Sequence, residues 1–273
     1  MRIRKRAFLS KFFADRGTHL AAMVAYFALL AFVPLVFLAL SLLGLAHRAD
    51  ASDFLVKELR RAFPGSSVES ILSLVHQVQD NAATLGIIGG VFLLWSSLSL
   101  FSALESALNI VYGRPNRSFL KGKAVAALVM TGSLVTLFFS LVVGAFGVEV
   151  LRRYTPGLVG NGIVAYVLSI AVSLVGVFIF VLTIYRVLPN APVTVRDALP
   201  GAVLAAILLE ASFQVLPVFV RLAGVNVTLR VLGGPAILLL WLYVMANVIV
   251  LGAELNWWIA QRRGSGEAVN SVA

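Results

Sequence analysis

Six long apolar stretches constrain the fold of this chain more than any other feature. Each exceeds the ~20 residues that a helix needs to cross the core of a bilayer, and none has a Lys or Arg in its central part. The sequence therefore predicts an all-α, polytopic membrane protein with six transmembrane helices. The predicted spans are residues 20–46, 84–112, 122–148, 160–188, 198–222 and 233–260.

Composition excludes a soluble domain. Apolar residues make up 60% of the 273-residue chain, whereas soluble domains have about 45–50%, and much of that surface would have to face water. There is no cysteine, so disulfides and thiolate chemistry are excluded. The sequence has no glycine-rich phosphate loop, no HExxH motif and no metal-ligand spacing among its three histidines. It therefore predicts no catalytic residue, metal site or cofactor.

The basic residues predict the orientation in the membrane. Six spans place both termini on one side, which has fourteen Lys and Arg, whereas the opposite side has eight. The positive-inside rule then places both termini in the cytoplasm. Basic residues that flank spans and contact anionic headgroups also explain the net charge of +10. Membrane lipids are therefore the predicted partners, and nucleic acid is not.

Two short segments flank the predicted transmembrane domain, which covers residues 20–260. Residues 1–19 form a basic N-terminal segment with three Phe residues at roughly helical spacing, and they predict an interfacial helix on the inner surface. Residues 261–273 are small and polar, and they predict a disordered cytoplasmic tail.

The first outer loop, residues 47–83, is the only sizeable extramembrane segment. Pro64 and Gly65 divide it, and the pattern on either side predicts two short amphipathic helices, over residues 53–63 and after Ser66. These helices either lie over the outer mouth of the bundle or serve as a plain connector with one wet face.

Three carboxylates lie inside predicted spans: Glu105, Glu210 and Glu254. A charge at the bilayer centre costs at least ~2.5–3.5 kcal/mol, so such residues usually face a bundle interior or water. Glu210 is nearest the middle of its span, whereas Glu254 lies ~12 Å before Arg262 along its helix and is expected to be less buried. The polar residues predicted to share their faces are Ser102 and Asn109 with Glu105, Gln214 with Glu210, and Tyr243 and Asn247 with Glu254.

Two interpretations of these polar faces remain open. They line a cavity through which a substrate or protons pass, or the acids are protonated or hydrogen-bonded and hold helices together. The second interpretation lacks a visible cation, because no Lys or Arg lies in the central part of a span.

Other residues within the spans predict helix geometry. Pro34 and Pro217 each remove a backbone donor and are expected to kink their helices. In the third span, small residues recur every fourth position and predict a face for close helix packing. These residues are Gly132, Thr136, Ser140 and Gly144.

Four sets of residues form distinctive runs along the chain: 25–35, 103–112, 185–189 with 199–202, and 239–243 followed by 252–256. These runs resemble the YihY/BrkB family of bacterial inner-membrane proteins, also called virulence factor BrkB and once labelled ribonuclease BN. The resemblance implies a multi-pass protein of the inner membrane, with six spans and cytoplasmic termini. It also implies an association with serum resistance and with transport of lipids or lipopolysaccharide precursors. Ala31 departs from the family, which often has a polar residue there.

The residues and the resemblance together favour a transporter or flippase-like carrier of a lipid or amphiphilic envelope component, working through a polar cavity inside the bundle. The alternative is a non-catalytic scaffold that organises envelope machinery through its outer helices. A ribonuclease is not expected, because phosphodiester hydrolysis needs a metal or an aqueous acid–base site and the acids here lie within spans. A homo-oligomer is compatible with the sequence.

Overall fold

The computed structural model describes residues 8–45, 82–133, 162–225 and 234–270, and within them every regular element is a helix. The all-α prediction is therefore confirmed for this part of the chain. The helices are α1 (Phe8–Ala14), α2 (Gly17–Leu45), α3 (Ala82–Val111), α4 (residues 119–133), α5 (Gly162–Val187), α6 (Val195–Val225) and α7 (Gly234–Asn270).

Four of these helices contain a stretch that is long and apolar enough to cross a membrane, in α3, α5, α6 and α7. They coincide with the second, fourth, fifth and sixth predicted spans. The described part of α2 contains a shorter apolar helix, Gly17–Phe32, and the third predicted span is described only as far as residue 133. A multi-pass membrane protein is therefore supported, whereas the count of six spans and the orientation of the termini stay predictions.

The two ends of the chain form helices whose limits differ from the predicted segments. At the N-terminus, α1 ends at Ala14, and Arg16 then takes a positive φ of 56° before α2 begins. At the C-terminus, α7 continues to Asn270, through most of the segment predicted to be disordered, residues 261–273. Extending an existing helix costs far less than nucleating one, so small polar residues need not end it.

Some predicted features fall outside the described residues. These are the two outer-loop helices within residues 47–81 and three of the four small residues of the third span, Thr136, Ser140 and Gly144. The fourth, Gly132, is exposed, and no atom of the described chain lies within 4 Å of the position that a Cβ would take there. Pro34 and Pro217 both lie inside helices that continue past them.

The chain divides into two compact units. The first comprises Met1–Thr18, Leu104–Ala211 and Val248–Ala273, and the second comprises His19–Ala103 and Ser212–Asn247. The core of the first unit includes Leu108, Ile184, Ala202 and Val250, and that of the second includes Val24, Ala25, Phe101 and Trp241.

In the first unit, α6 and α7 pack closely because glycines face each other. A Cβ at Gly201 would overlap the backbone carbonyl of Gly252, and a Cβ at Gly252 would overlap the hydroxyl of Tyr185. That hydroxyl donates a hydrogen bond to the carbonyl of Ile249 at 2.7 Å, and the Gly201 amide donates to Asn256 Oδ1 at 2.6 Å. Because glycine has no side chain, the helices approach closely enough for hydrogen bonds that involve their backbones.

We expect Gly201→Ala to lower the free energy of unfolding by about 1–3 kcal/mol, because the added methyl group overpacks a backbone contact. The matched control is Gly176→Ala in the interior of α5, where no atom of the described chain lies within 4 Å of a Cβ. That control should raise stability by about 0.5–1 kcal/mol. Unfolding in mixed detergent micelles, followed by circular dichroism, measures both. A Gly201→Ala variant as stable as the control would contradict the close contact.

Candidate functional site

The polar residues predicted from the sequence divide between the two units. Glu105, Asn109, Glu210 and Glu254 belong to the first unit, and Ser102, Gln214, Tyr243 and Asn247 belong to the second. Within the first unit, each of the four residues has its own set of partners, and these sets involve residues that the sequence did not single out.

Glu254 on α7 forms a buried ion pair with Lys11 on α1. The Lys11 ammonium donates to Glu254 Oε2 at 2.8 Å, to the Val111 carbonyl at 2.9 Å and to Asp15. It also lies 4.2 Å from the centroid of the Trp257 ring. Val111 is the last residue of α3, where carbonyls lack helical partners and favour a cation. Lys11 therefore connects three helices through a single charged group.

Glu254 differs from the sequence expectation in its burial. It was predicted to be less buried than Glu210, but its exposed fraction is 0%, whereas that of Glu210 is 6%. The expectation was wrong because it considered only the position along α7, whereas α1 packs against this part of the helix through Lys11 and through a contact of Phe8 with Trp258.

Glu105 on α3 is paired with Arg117, which lies in the connection between α3 and α4. The guanidinium donates to Glu105 Oε1 at 2.9 Å. It also donates to the carbonyls at the end of α5: Val187 at 3.4 Å, Leu188, and Pro189 at 2.9 Å. Because the planar guanidinium has five donors in a fixed geometry, it can join a carboxylate to a helix end that would otherwise lack donors.

Asn109, which is fully buried, fixes two chain connections next to this pair. Its Nδ2 donates to Asn116 Oδ1 at 2.9 Å, and its Oδ1 accepts from the backbone amide of Asn190 at 2.6 Å. Asn116 in turn donates to Ser106 at 3.1 Å. The connection after α5 leads into α6, whose first turn is stabilised by reciprocal hydrogen bonds between Thr194 and Asp197.

Glu210 has a different environment, in the interior of the apolar segment Val195–Leu216. Its Oε2 accepts a hydrogen bond from the hydroxyl of Ser173 on α5 at 2.7 Å. The side chain is buried, whereas Ser173 is exposed on the surface of its helix. Glu210 is therefore a buried acid that accepts a hydrogen bond from a hydroxyl of a neighbouring helix.

In the second unit, the predicted polar residues bond to their own helices. Ser102 donates to the Leu98 carbonyl at 2.7 Å, and Asn247 donates to the Tyr243 carbonyl at 2.8 Å. Such bonds to the preceding turn satisfy a polar group without a partner on another helix. Gln214 is exposed, and Tyr243 is partly exposed.

Three buried polar atoms have no hydrogen-bond partner in the described part of the chain: Tyr112 Oη, Glu254 Oε1 and Asn256 Nδ2. No group of three metal-binding side chains occurs among the described residues. The first unit therefore has buried donor and acceptor atoms next to the ion pair between Lys11 and Glu254.

Sequence reasoning missed Lys11, Arg117, Asn190, Asn256 and Ser173. Lys11 and Arg117 were considered only as positive charges that determine the orientation of the chain in the membrane. Their role could have been inferred from the three acids that lie in spans without a central Lys or Arg. A buried carboxylate requires a partner, which must then come from elsewhere in the chain.

Comparison with known proteins identifies the family. The chain matches the family described as Virulence factor BrkB over residues 8–272. It belongs to the BrkB family. The resemblance inferred from the residues is therefore confirmed, and the match includes α1, which carries Lys11, as well as the predicted spans.

Relatives of this BrkB-family protein cover most of its length. The UPF0761 membrane protein azo3165 of Azoarcus sp. (strain BH72) is 30% identical over 255 residues, which are 90% of this chain and 60% of the relative. The UPF0761 membrane protein of Cronobacter sakazakii (strain ATCC BAA-894) is 28% identical over 95% of this chain and 89% of the relative. A Bacillus subtilis (strain 168) protein named putative ribonuclease-like protein YfkH is 26% identical over 93% of this chain and 94% of its own length. No solved structure matches.

We expect Lys11→Met to lower the free energy of unfolding by about 3–5 kcal/mol, because it leaves Glu254 buried without its cation. The double variant Lys11→Met with Glu254→Gln should recover part of that loss. As a control, Arg263→Gln removes one partner of a more exposed pair with Asp197 and should cost about 1 kcal/mol or less. Unfolding in mixed micelles measures all three variants. Equal losses for Lys11→Met and Arg263→Gln would contradict the importance of the buried pair.

Proposed function

We propose that this BrkB-family membrane protein is a carrier of a lipid or amphiphilic component of the cell envelope, and that Glu210 is the ionisable group of its polar path. The single observation that carries the proposal is the burial of Glu210 in an apolar span, where it accepts a hydrogen bond from a hydroxyl of a neighbouring helix. An acid in such a place is costly, and in membrane proteins it commonly marks a substrate path or a proton relay.

The other two acids have a different role in this proposal. Glu105 and Glu254 each have a basic partner within 2.9 Å, and each partner also binds backbone carbonyls at a helix end. A carboxylate held in this way fixes a cation that also binds a helix end, which suits a structural role. We assign both to positioning helices, and we assign the ionisable role to Glu210, which is buried in an apolar segment beside Ser173.

The remaining parts of the proposal follow from the sequence. We propose six transmembrane helices with both termini in the cytoplasm, and the bacterial inner membrane as the location. Transport would be driven by an ion gradient, by a partner or by the gradient of the substrate. The scaffold alternative depends on the predicted outer loop, residues 47–83, of which residues 47–81 lie outside the described residues.

We expect Glu210→Gln to slow transport without changing insertion or folding. Glutamine can still accept the Ser173 hydrogen bond, so the variant removes the charge and keeps the shape. A hydrogen bond to a charged group contributes about 1.5–3 kcal/mol, so the rate should fall by about tenfold or more. The measurement is movement of fluorescent phosphatidylethanolamine and phosphatidylglycerol across liposomes that contain the protein.

The control for that experiment is Ser173→Ala, which removes the hydroxyl and keeps the acid. It should slow transport less than Glu210→Gln. Equal rates for Glu210→Gln and the unmodified protein would exclude Glu210 from the mechanism, and a larger effect of Ser173→Ala would indicate a structural role for the pair.

The absence of cysteine allows a direct test of the polar path. Single cysteines replace Ser102, Gln214 and Tyr243 in intact cells, and a membrane-impermeant thiol reagent is added. We expect labelling at these positions, because a water-filled cavity lets the reagent reach them. Ser66→Cys, in the predicted outer loop over residues 47–83, is the positive control, because a reagent outside the cell reaches that loop. Val175→Cys, at an exposed position in the apolar segment Ile170–Val187, is the negative control, since lipid suppresses thiolate formation. Protection at all three sites would favour the scaffold alternative.

A further inference from the structure

We propose that Arg196, Arg262 and Arg263, together with the ring of Trp258, bind the phosphate group of an anionic lipid headgroup. We call this set the arginine corner. It lies in the first unit, where α6 begins and where the apolar segment of α7 ends. The proposal does not depend on transport through Glu210, because none of its residues belongs to that path.

The arginine corner is assembled by contacts between two helices. Arg263 Nη1 donates to the Arg196 carbonyl at 3.2 Å and lies 3.9 Å from Asp197 Oδ1. These contacts hold the end of the apolar segment of α7 beside the first turn of α6. The first turn of a helix also directs backbone amides outward and favours a negative charge nearby.

The arginine corner has more positive than negative charge. All three arginines are exposed, and 53% of the Arg263 side chain is accessible. Asp197 offsets one of the positive charges, and it also accepts a hydrogen bond from Thr194. Three guanidinium groups with one carboxylate leave two positive charges in excess, which favours an anionic ligand such as the phosphodiester of a lipid headgroup.

One of these guanidinium groups is held in a fixed orientation. The guanidinium carbon of Arg262 lies 3.6 Å from the centroid of the Trp258 ring, so the group stacks on the indole. An arginine side chain loses rotamer entropy when it binds a ligand, and the contact with the ring reduces that loss. The edge of a stacked guanidinium still presents donors, and two parallel donors suit the oxygens of a phosphate.

The depth of the arginine corner favours a lipid over a dissolved phosphate. The apolar segment Pro235–Arg263 has 29 residues, so its length is about 43 Å at 1.5 Å per residue. A bilayer including its headgroup regions is about 40–45 Å thick. If the segment spans the bilayer, Arg262 and Arg263 lie at the level of the phosphates. Trp258 is one turn deeper, next to Phe8, at the depth where tryptophan is enriched in membrane proteins.

The experiment compares lipid binding by native mass spectrometry of the full chain in detergent. Phosphatidylglycerol and phosphatidylcholine, with the same acyl chains, are titrated separately. The test variant is the double substitution Arg196→Gln with Arg262→Gln, which leaves the Arg263 contacts in place. The matched control, Arg114→Gln with Lys121→Gln, removes the same number of charges from exposed residues of the first unit.

We expect the unmodified protein to bind phosphatidylglycerol about tenfold or more tightly than phosphatidylcholine, since each basic residue near a headgroup contributes about fivefold. The test variant should lose that preference, and the control variant should keep it. Arg262→Lys keeps the charge but not the planar stacked group, so it should retain only part of the preference.

Three outcomes would overturn the proposal. These are equal binding of the two lipids by the unmodified protein, equal losses in the test and control variants, and full displacement of phosphatidylglycerol by the same concentration of inorganic phosphate. The last result would assign the arginine corner to a dissolved anion. Circular dichroism checks that each variant is folded, and if the double variant is not, Arg262→Gln and Arg262→Lys alone decide.

Discussion

The burial of charge controls the arrangement of the first unit. A carboxylate among apolar helices cannot use water as its partner, so a cation or several donors must lie beside it. Glu254 obtains this from Lys11, and Glu105 obtains it from Arg117. Each of these cations also binds carbonyls at the end of a helix, Val111 for Lys11 and Pro189 for Arg117. The need to pair buried carboxylates therefore fixes the N-terminal segment and the two chain connections that follow α3 and α5.

The same requirement explains why the fold was more predictable than the site. Apolar length alone predicts where spans lie, because a helix in lipid must satisfy its own backbone. Ion pairs depend on distant segments: Lys11 and Glu254 are 243 residues apart. No periodicity within a single helix contains that information. Arg117 lies much closer to Glu105, 12 residues away, but it falls in a connection whose conformation the hydrophobic pattern does not determine.

Contacts between α6 and α7 illustrate a second limit of prediction. The search for small residues identified Gly132, where a Cβ would have open space in the described chain, and did not identify Gly201 and Gly252, where backbones touch. A repeat of small residues shows that close packing is allowed, but the partner helix determines whether it occurs. Here α7 supplies Asn256 and α5 supplies Tyr185, whose hydrogen bonds require short distances between helices.

Glu210 is given a separate role because the other two acids form ion pairs with cations that bind helix ends. The sequence does not distinguish the three acids, because each lies in a predicted span and a charge there is costly. It was therefore reasonable to assign all three to one polar cavity. In the structure, all three lie within apolar segments. Glu105 and Glu254 are paired with cations that also bind carbonyls at helix ends, and Glu210 accepts a hydrogen bond from the Ser173 hydroxyl. A group that holds helix ends together acts through the contacts of its partner, and Lys11 and Arg117 make such contacts for Glu254 and Glu105. The proposed division between positioning and transport follows from these helix-end contacts.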